Sequence, residues 1–228
     1  MQPTLLFVIP LWAELVAVGL GGLQGALFAG AFTDRRIDVL GVVLIGPGVA
    51  LGGSVARDIL LGEPPVVIRG HWYVIIAVAL ALVGMSLQPL FGRLGAVILA
   101  LDAVTIGLFG AIGTSKALSL GVPAAPAVLV GVIAAVGGSI LRDVMLDLPV
   151  ALLHVGSLYA IAAATGAVLL VALVSIDVDA STAALAGTAL TTAVRLLAVR
   201  YAWSIPGQRS LVPARLTDAA PSEGDGSP

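Results

Sequence analysis

Cysteine is absent from the 228 residues, which removes disulfides, thiolate metal sites and cysteine nucleophiles together. Histidine is nearly absent: His71 and His154 each flank an apolar segment and have no partner at a metal-ligand spacing. No cofactor is expected, and no metal beyond transient monovalent cations. Charged residues make up only 11% of the chain against 59% hydrophobic, with a mean hydropathy of +1.12. So few charges cannot clothe a water-soluble domain, and the composition reads as an integral membrane protein. The net charge of -2 is spread over segment ends, without a basic stripe or aromatic platform, so nucleic acid is excluded as a partner. Enzyme signatures are missing too. There is no His-Glu-x-x-His run, no nucleophile elbow and no phosphate-cradling loop; Gly19-Leu20-Gly21-Gly22 sits inside an apolar span. The start, Met1-Gln2-Pro3-Thr4, lacks the basic n-region of a secretory signal, and the apolar run behind it is too long for a signal core.

What is present is hydrophobic length. Seven apolar segments, over 5–31, 39–61, 73–91, 94–118, 122–146, 150–174 and 182–202, each approach the ~20 residues that cross a bilayer core. This gives an all-α membrane fold of seven transmembrane helices. Short connections join them, and a polar tail over 205–228, rich in Pro, Gly and Ser, is expected to be disordered. Arg35, Arg36, Arg93, Arg142, Arg200, Arg209 and Arg215 fall on one side, against Arg57, Arg69 and Lys116 with the Asp177/Asp179 loop on the other. The positive-inside rule then puts the N-terminus outside and the tail in the cytoplasm.

One motif occurs twice, 85 residues apart: Gly52-Gly53-Ser54-Val55-Ala56-Arg57-Asp58 and Gly137-Gly138-Ser139-Ile140-Leu141-Arg142-Asp143. At the same offset Leu44, Gly46, Leu61 and Pro64 match Leu129, Gly131, Leu146 and Pro149. This is the pattern of a duplicated unit. With three spans per unit, 5–91 and 94–174 would be inverted relative to each other, and 182–203 would add a seventh helix outside the repeat.

Gly46-Pro47-Gly48 and Gly52-Gly53 fall mid-span in the second segment, and Gly137-Gly138 in the fifth. Proline removes a backbone hydrogen bond and paired glycines offer no resistance to bending, so both helices are expected to be kinked there. Freed backbone groups at membrane depth need a cavity, which makes these glycines, with Ser54 and Ser139, candidate pore-lining residues. Close helix packing through small residues is the competing explanation.

Ionised groups inside a membrane are costly and usually functional. Adjacent helical positions diverge by about 100°, so neither Arg57-Asp58 nor Arg142-Asp143 is expected to close on itself. Each is read as a mouth or gating charge with partners on other helices. Asp102 and Lys116 lie in the fourth segment about 21 Å apart at 1.5 Å per residue, too far to pair with each other. Asp102 and Glu14 are mid-membrane carboxylates needing a cation, a proton or a polar partner. Lys116 is either a snorkelling residue or a voltage-sensitive plug, since one charge across 100 mV is worth about 2.3 kcal/mol. Arg195 reads as a packing or snorkelling residue.

The doubled Gly-Gly-Ser-x-x-Arg-Asp, the entry Asp34-Arg35-Arg36-Ile37-Asp38-Val39-Leu40-Gly41-Val42, and the run from Asp102 to Lys116-Ala117-Leu118 resemble the prokaryotic TRIC family. These are trimeric intracellular cation channel homologues, whose domain is also labelled a glycine transporter. The resemblance covers nearly all of residues 5–203. It implies a homotrimer in membrane lipid, with an hourglass pore in each protomer lined by the second and fifth helices and permeable to K⁺ or Na⁺. It also likens Gly52-Gly53 and Gly137-Gly138 to kinks at the constriction, and Lys116 to a basic residue linked to voltage-dependent gating. The other readings are a secondary transporter of a small amino acid such as glycine, which inverted repeats equally fit, and a scaffolding trimer with no path.

Overall fold

The computed structural model describes residues 10–32, 37–91, 95–153 and 158–203, which form helices joined by short turns, with no strand among them. Seven long helices are α1 (Leu11–Phe32), α2 (Val39–Leu60), α4 (His71–Phe91), α5 (Gly95–Ser119), α6 (Ala124–Met145), α7 (Tyr159–Ser175) and α8 (Ala180–Arg200). A single turn, α3 (Val66–Arg69), follows α2, and a 3₁₀ turn over Ala151–Leu153 follows α6. Six of the long helices are long and apolar enough to cross a membrane, and α7 is a shorter apolar helix of 17 residues. The chain is an integral membrane protein. The polar tail, Arg35, Arg36, Arg93, His154 and the first residues of the expected first span lie outside the described residues.

Local chemistry sets several of the helix ends. The Asp38 carboxylate accepts from the Gly41 N–H at 2.7 Å and caps α2, and Asp179 caps α8 through Thr182 at 3.1 Å. At their far ends α2 and α6 stop in the same way. The N–H groups of Leu61 and Leu146 bond back to the Arg57 and Arg142 carbonyls, and Gly62 and Asp147 take left-handed φ values of 68° and 55°. The next residues, Glu63 and Leu148, donate to the carbonyls of Asp58 and Asp143 at 2.9 and 2.8 Å. The connection read as Glu63 to Trp72 therefore contains a helical turn, and α4 begins at His71 rather than 73.

Small residues let the helices approach closely, which is how membrane helices associate when lipid supplies no hydrophobic drive. Gly22 of α1 faces the Ala77 backbone of α4, and Gly84 of α4 faces the Leu23 backbone of α1. Gly166 of α7 and Gly187 of α8 meet backbone to backbone. The first three long helices pack together, as do α5, α6 and α7. The halves join where α2 lies along α6 and α1 touches α5; α8 docks on α5 and α7. A buried cluster from all of the first half and α5 (Val18, Leu51, Val66, Tyr73, Phe109, Ile112) closes that end. Large apolar side chains such as Leu40, Ile59, Trp72, Leu129 and Leu185 point outward, as expected where the solvent is lipid.

Candidate functional site

Two clusters of ionised side chains are built alike, one at the end of α2 and one at the end of α6. In the first, Arg57 is 1% exposed. Its Nε donates to Asp58 Oδ1 at 2.8 Å, and its NH2 lies 3.5 Å from Glu14 Oε1 on α1. The Tyr73 hydroxyl of α4 donates to Glu14 in turn. Lys116 Nζ, from the end of α5, donates to Asp58 Oδ1 at 2.7 Å, while the Val66 N–H of α3 donates to Asp58 Oδ2 at 2.8 Å.

In the second, Arg142 is fully buried. Its Nε and NH2 both donate to Asp143 Oδ1, at 2.9 and 2.8 Å, and its NH1 reaches Asp102 Oδ1 on α5 at 3.4 Å. The Ala151 N–H donates to Asp143 Oδ2 at 2.9 Å, the counterpart of Val66 on Asp58. Tyr159 at the start of α7 stands beside Asp102, as Tyr73 stands beside Glu14. Gln24 Nε2 of α1 donates to Asp102 Oδ1 at 3.1 Å. Arg195 of α8 brings its NH2 to 3.9 Å from Asp102 Oδ2 and lies 3.7 Å over the Tyr159 ring; Arg142 lies 3.6 Å over Phe28. Each cluster holds two cations and two carboxylates and is formally neutral, which is what burial at membrane depth requires.

Three expectations change here. Both Arg-Asp pairs do close on themselves. A long arginine can fold back along its helix once the neighbouring carboxylate is pinned from the other side, and the N–H of Val66 or Ala151 does the pinning. Lys116 does not snorkel away from the protein but pairs with Asp58 across the boundary between the halves. Arg195 is 5% exposed and faces Asp102, so it is neither a snorkelling nor a mere packing residue. Sequence reasoning missed it because Asp102 and Arg195 are 93 positions apart and sit in different units.

The glycines meet as well. The helices run unbroken through Gly46-Pro47-Gly48, Gly52-Gly53 and Gly137-Gly138, so none of these residues interrupts its helix. A Cβ on Gly53 would strike the Ala134 carbonyl of α6, and one on Gly138 the Val49 carbonyl of α2. Gly137 faces the Gly53 backbone. Gly46 packs on Ala81, Gly48 on Met145, and Gly52 on Leu141. Ser54 is buried. Where the two helices cross, a narrow cavity remains, with room for about one water molecule. Gly53, Gly138 and Ser139 line it together with Gln24, Asp102 and Thr105. No group of three or more His, Cys, Asp or Glu that could hold a metal occurs among the described residues.

Elsewhere, Arg69 bridges Glu63 on the exposed side of α3. Exposed pairs of this kind contribute about 0–1 kcal/mol. Arg69→Ala is expected to leave the thermal midpoint of the detergent-solubilised protein within a few degrees of wild type, checked by following monodispersity on heating.

A family model described as Glycine transporter matches residues 11–89 and 99–175, one stretch over each half. The inner membrane protein YadS of Escherichia coli K12, a UPF0126 protein, is 31% identical over 199 residues, covering 86% of this chain and 94% of that one. The TRIC trimeric intracellular cation channel orthologue from Rhodobacter sphaeroides superposes with a TM-score of 0.77 at 27% identity, over 84% of this chain and 97% of its own. A second TRIC cation channel, solved to explain conductance, gives a TM-score of 0.76 at 28% identity over 88% and 98%. Matched in both halves by the model and along most of its length by such a relative, the chain belongs to this glycine-transporter family and has the fold of the TRIC cation channels.

Proposed function

We propose that the protein is a passive channel for monovalent cations, K⁺ first among them, in a prokaryotic inner membrane. The observation that carries this reading is the small cavity at the crossing of α2 and α6, where Gln24, Asp102, Thr105 and Ser139 interrupt a wall otherwise made of Gly53, Gly138 and apolar side chains such as Val49, Ile106 and Phe109. The side-chain oxygens of Asp102, Gln24, Thr105 and Ser139 on its wall suit a partly dehydrated cation. The structural likeness to cation channels supports the same conclusion. The matching terminations of α2 and α6, with Val66 and Ala151 on equivalent carboxylates, support an inverted duplication of α1–α4 and α5–α7 with α8 outside it.

In this reading the cavity is the constriction of an hourglass path within each protomer of a homotrimer. Room for about one water does not pass a hydrated ion, so conduction requires α2 and α6 to part, with bends at Gly46-Pro47-Gly48, Gly52-Gly53 and Gly137-Gly138 as the hinges. Arg57, Asp58, Arg142 and Asp143 guard the two mouths. The Lys116–Asp58 pair is the contact that a membrane potential would make or break. The N-terminus faces outside and the tail the cytoplasm.

The transporter reading has one point in its favour, the description of the family model. Against it stands the short list of polar side chains around the cavity, Gln24, Asp102, Thr105 and Ser139, with no cation among the described residues lining it to hold a substrate carboxylate. The test is planar-bilayer recording of the purified full chain under a KCl gradient. Unitary currents reversing toward the K⁺ equilibrium potential are expected. Saturable glycine counterflow in liposomes without unitary currents would overturn the channel reading.

A further inference from the structure

Among the side chains lining the cavity, Asp102 is the one ionisable group. Its two oxygens are used differently. Oδ1 is claimed by Gln24 at 3.1 Å and Arg142 at 3.4 Å. Oδ2 is buried with no hydrogen-bond partner within 3.5 Å and faces Arg195 NH2 at 3.9 Å, while the Tyr159 side chain stands beside the same carboxylate. The two arginines are not equivalent either. Arg142 divides its donors between two carboxylates, two on Asp143 and one on Asp102. Arg195 has Asp102 as its one carboxylate within 4 Å among the described residues, and its Nε is also buried without a hydrogen-bond partner.

The helix carrying Arg195 is fixed against the helix carrying Asp102 over the same turns. Thr192 Oγ1 donates to the Ala103 carbonyl at 3.4 Å and Thr188 Oγ1 to the Gly107 carbonyl at 3.3 Å. A Cβ on Gly107 would lie 2.8 Å from the Thr188 carbonyl, so the two backbones could not sit this close with any other residue there. The Tyr159 ring supports the guanidinium from the other side.

We propose that Arg195, on the helix outside the two repeated units, is the second counter-charge of Asp102 beside Arg142, the one that brings the cluster to neutrality, and that it sets how strongly the cavity attracts a cation. This rests on the channel reading. With Arg195 present the α6 cluster is neutral, and the passing ion meets oxygen dipoles rather than a bare carboxylate. Without it the cluster carries one net negative charge directly at the cavity wall, where low dielectric makes a charge act strongly. Arg195 does not touch the cavity; it acts through Asp102 and is a specificity-setting residue in that sense.

The test is single-channel recording of wild type, Arg195→Gln, Arg195→Lys and Asp102→Asn under a KCl gradient. Arg195→Gln is expected to raise unitary K⁺ conductance about threefold or more and to move the reversal potential further toward K⁺ over Cl⁻. Asp102→Asn, which leaves an unmatched arginine beside the path, is expected to move both in the opposite direction. Arg195→Lys, keeping the charge, is expected to stay close to wild type. A general loosening of the fold would not give opposite signs for the two neutralisations. Arg195→Gln and Asp102→Asn moving the same way, or conducting like wild type, would overturn the inference. Should Arg195→Gln fail to fold, an unchanged or raised K⁺ conductance in Asp102→Asn overturns it alone. A wild-type protein without cation current would instead remove the channel reading and this inference with it.

Discussion

Asp58→Ala is expected to destabilise the protein by about 3–5 kcal/mol, the cost of stranding buried charge. Asp58 is fully buried and carries three contacts at once: Arg57 at 2.8 Å, Lys116 at 2.7 Å and the Val66 N–H at 2.8 Å. Removing it leaves two cations facing one carboxylate, Glu14, which approaches Arg57 only to 3.5 Å. It also unties α3 from the end of α2. Asp58→Asn keeps an acceptor for the Val66 N–H but not the charge, so its loss should be intermediate. Asp143→Ala should resemble Asp58→Ala, because Asp143 holds Arg142 and the Ala151 N–H in the same way. The measurement is the thermal midpoint of the detergent-solubilised protein, followed by retention of the monodisperse peak. A wild-type midpoint in Asp58→Ala would show that the cluster is solvated rather than buried.

The number and order of long helices were legible in the sequence because hydrophobic length is a local property. The doubled motif was legible for the same reason, and it marked the residues that form the two clusters. What the motif did not disclose was the partner of each charge. Glu14 meets Arg57 from α1 and is itself held by Tyr73 of α4, and Asp102 meets Arg142 from α5. None of these distances in sequence carries a periodic signal. The closing of Arg57 on Asp58 was misjudged because helical geometry fixes where Cβ points but not where a long guanidinium ends. Arg195 was missed because it belongs to the helix without a copy. The glycines gave a pattern compatible with packing or with a path. In the structure Gly53 and Gly138 bring α2 and α6 into backbone contact and also border the cavity that we propose as the path.

That double use separates two neighbouring glycines sharply. Gly53→Ala is expected to destabilise the protein by about 1–3 kcal/mol, whereas Gly52→Ala is expected to cost well under 1 kcal/mol. A Cβ at Gly53 would collide with the Ala134 carbonyl, and backbone in a packed helix cannot move aside without separating α2 from α6. A Cβ at Gly52 would meet Leu141 Cδ2 at 3.1 Å, the end of a partly exposed side chain that can rotate outward. Gly138→Ala should follow Gly53→Ala, because its Cβ would strike the Val49 carbonyl of the facing helix. Gly137→Ala should be severe as well: its Cβ would lie 2.9 Å from Gly53 Cα, so the equivalence of the two halves fails at Gly52 and Gly137. The thermal midpoint of each variant gives the stability order. Unitary conductance of the folded fraction tests the path, since a wedge at Gly53 or Gly138 stands at the cavity wall and one at Gly52 does not. Equal thermal losses for Gly52→Ala and Gly53→Ala would mean that α2 and α6 do not cross at this register, and the cavity between them would lose its walls.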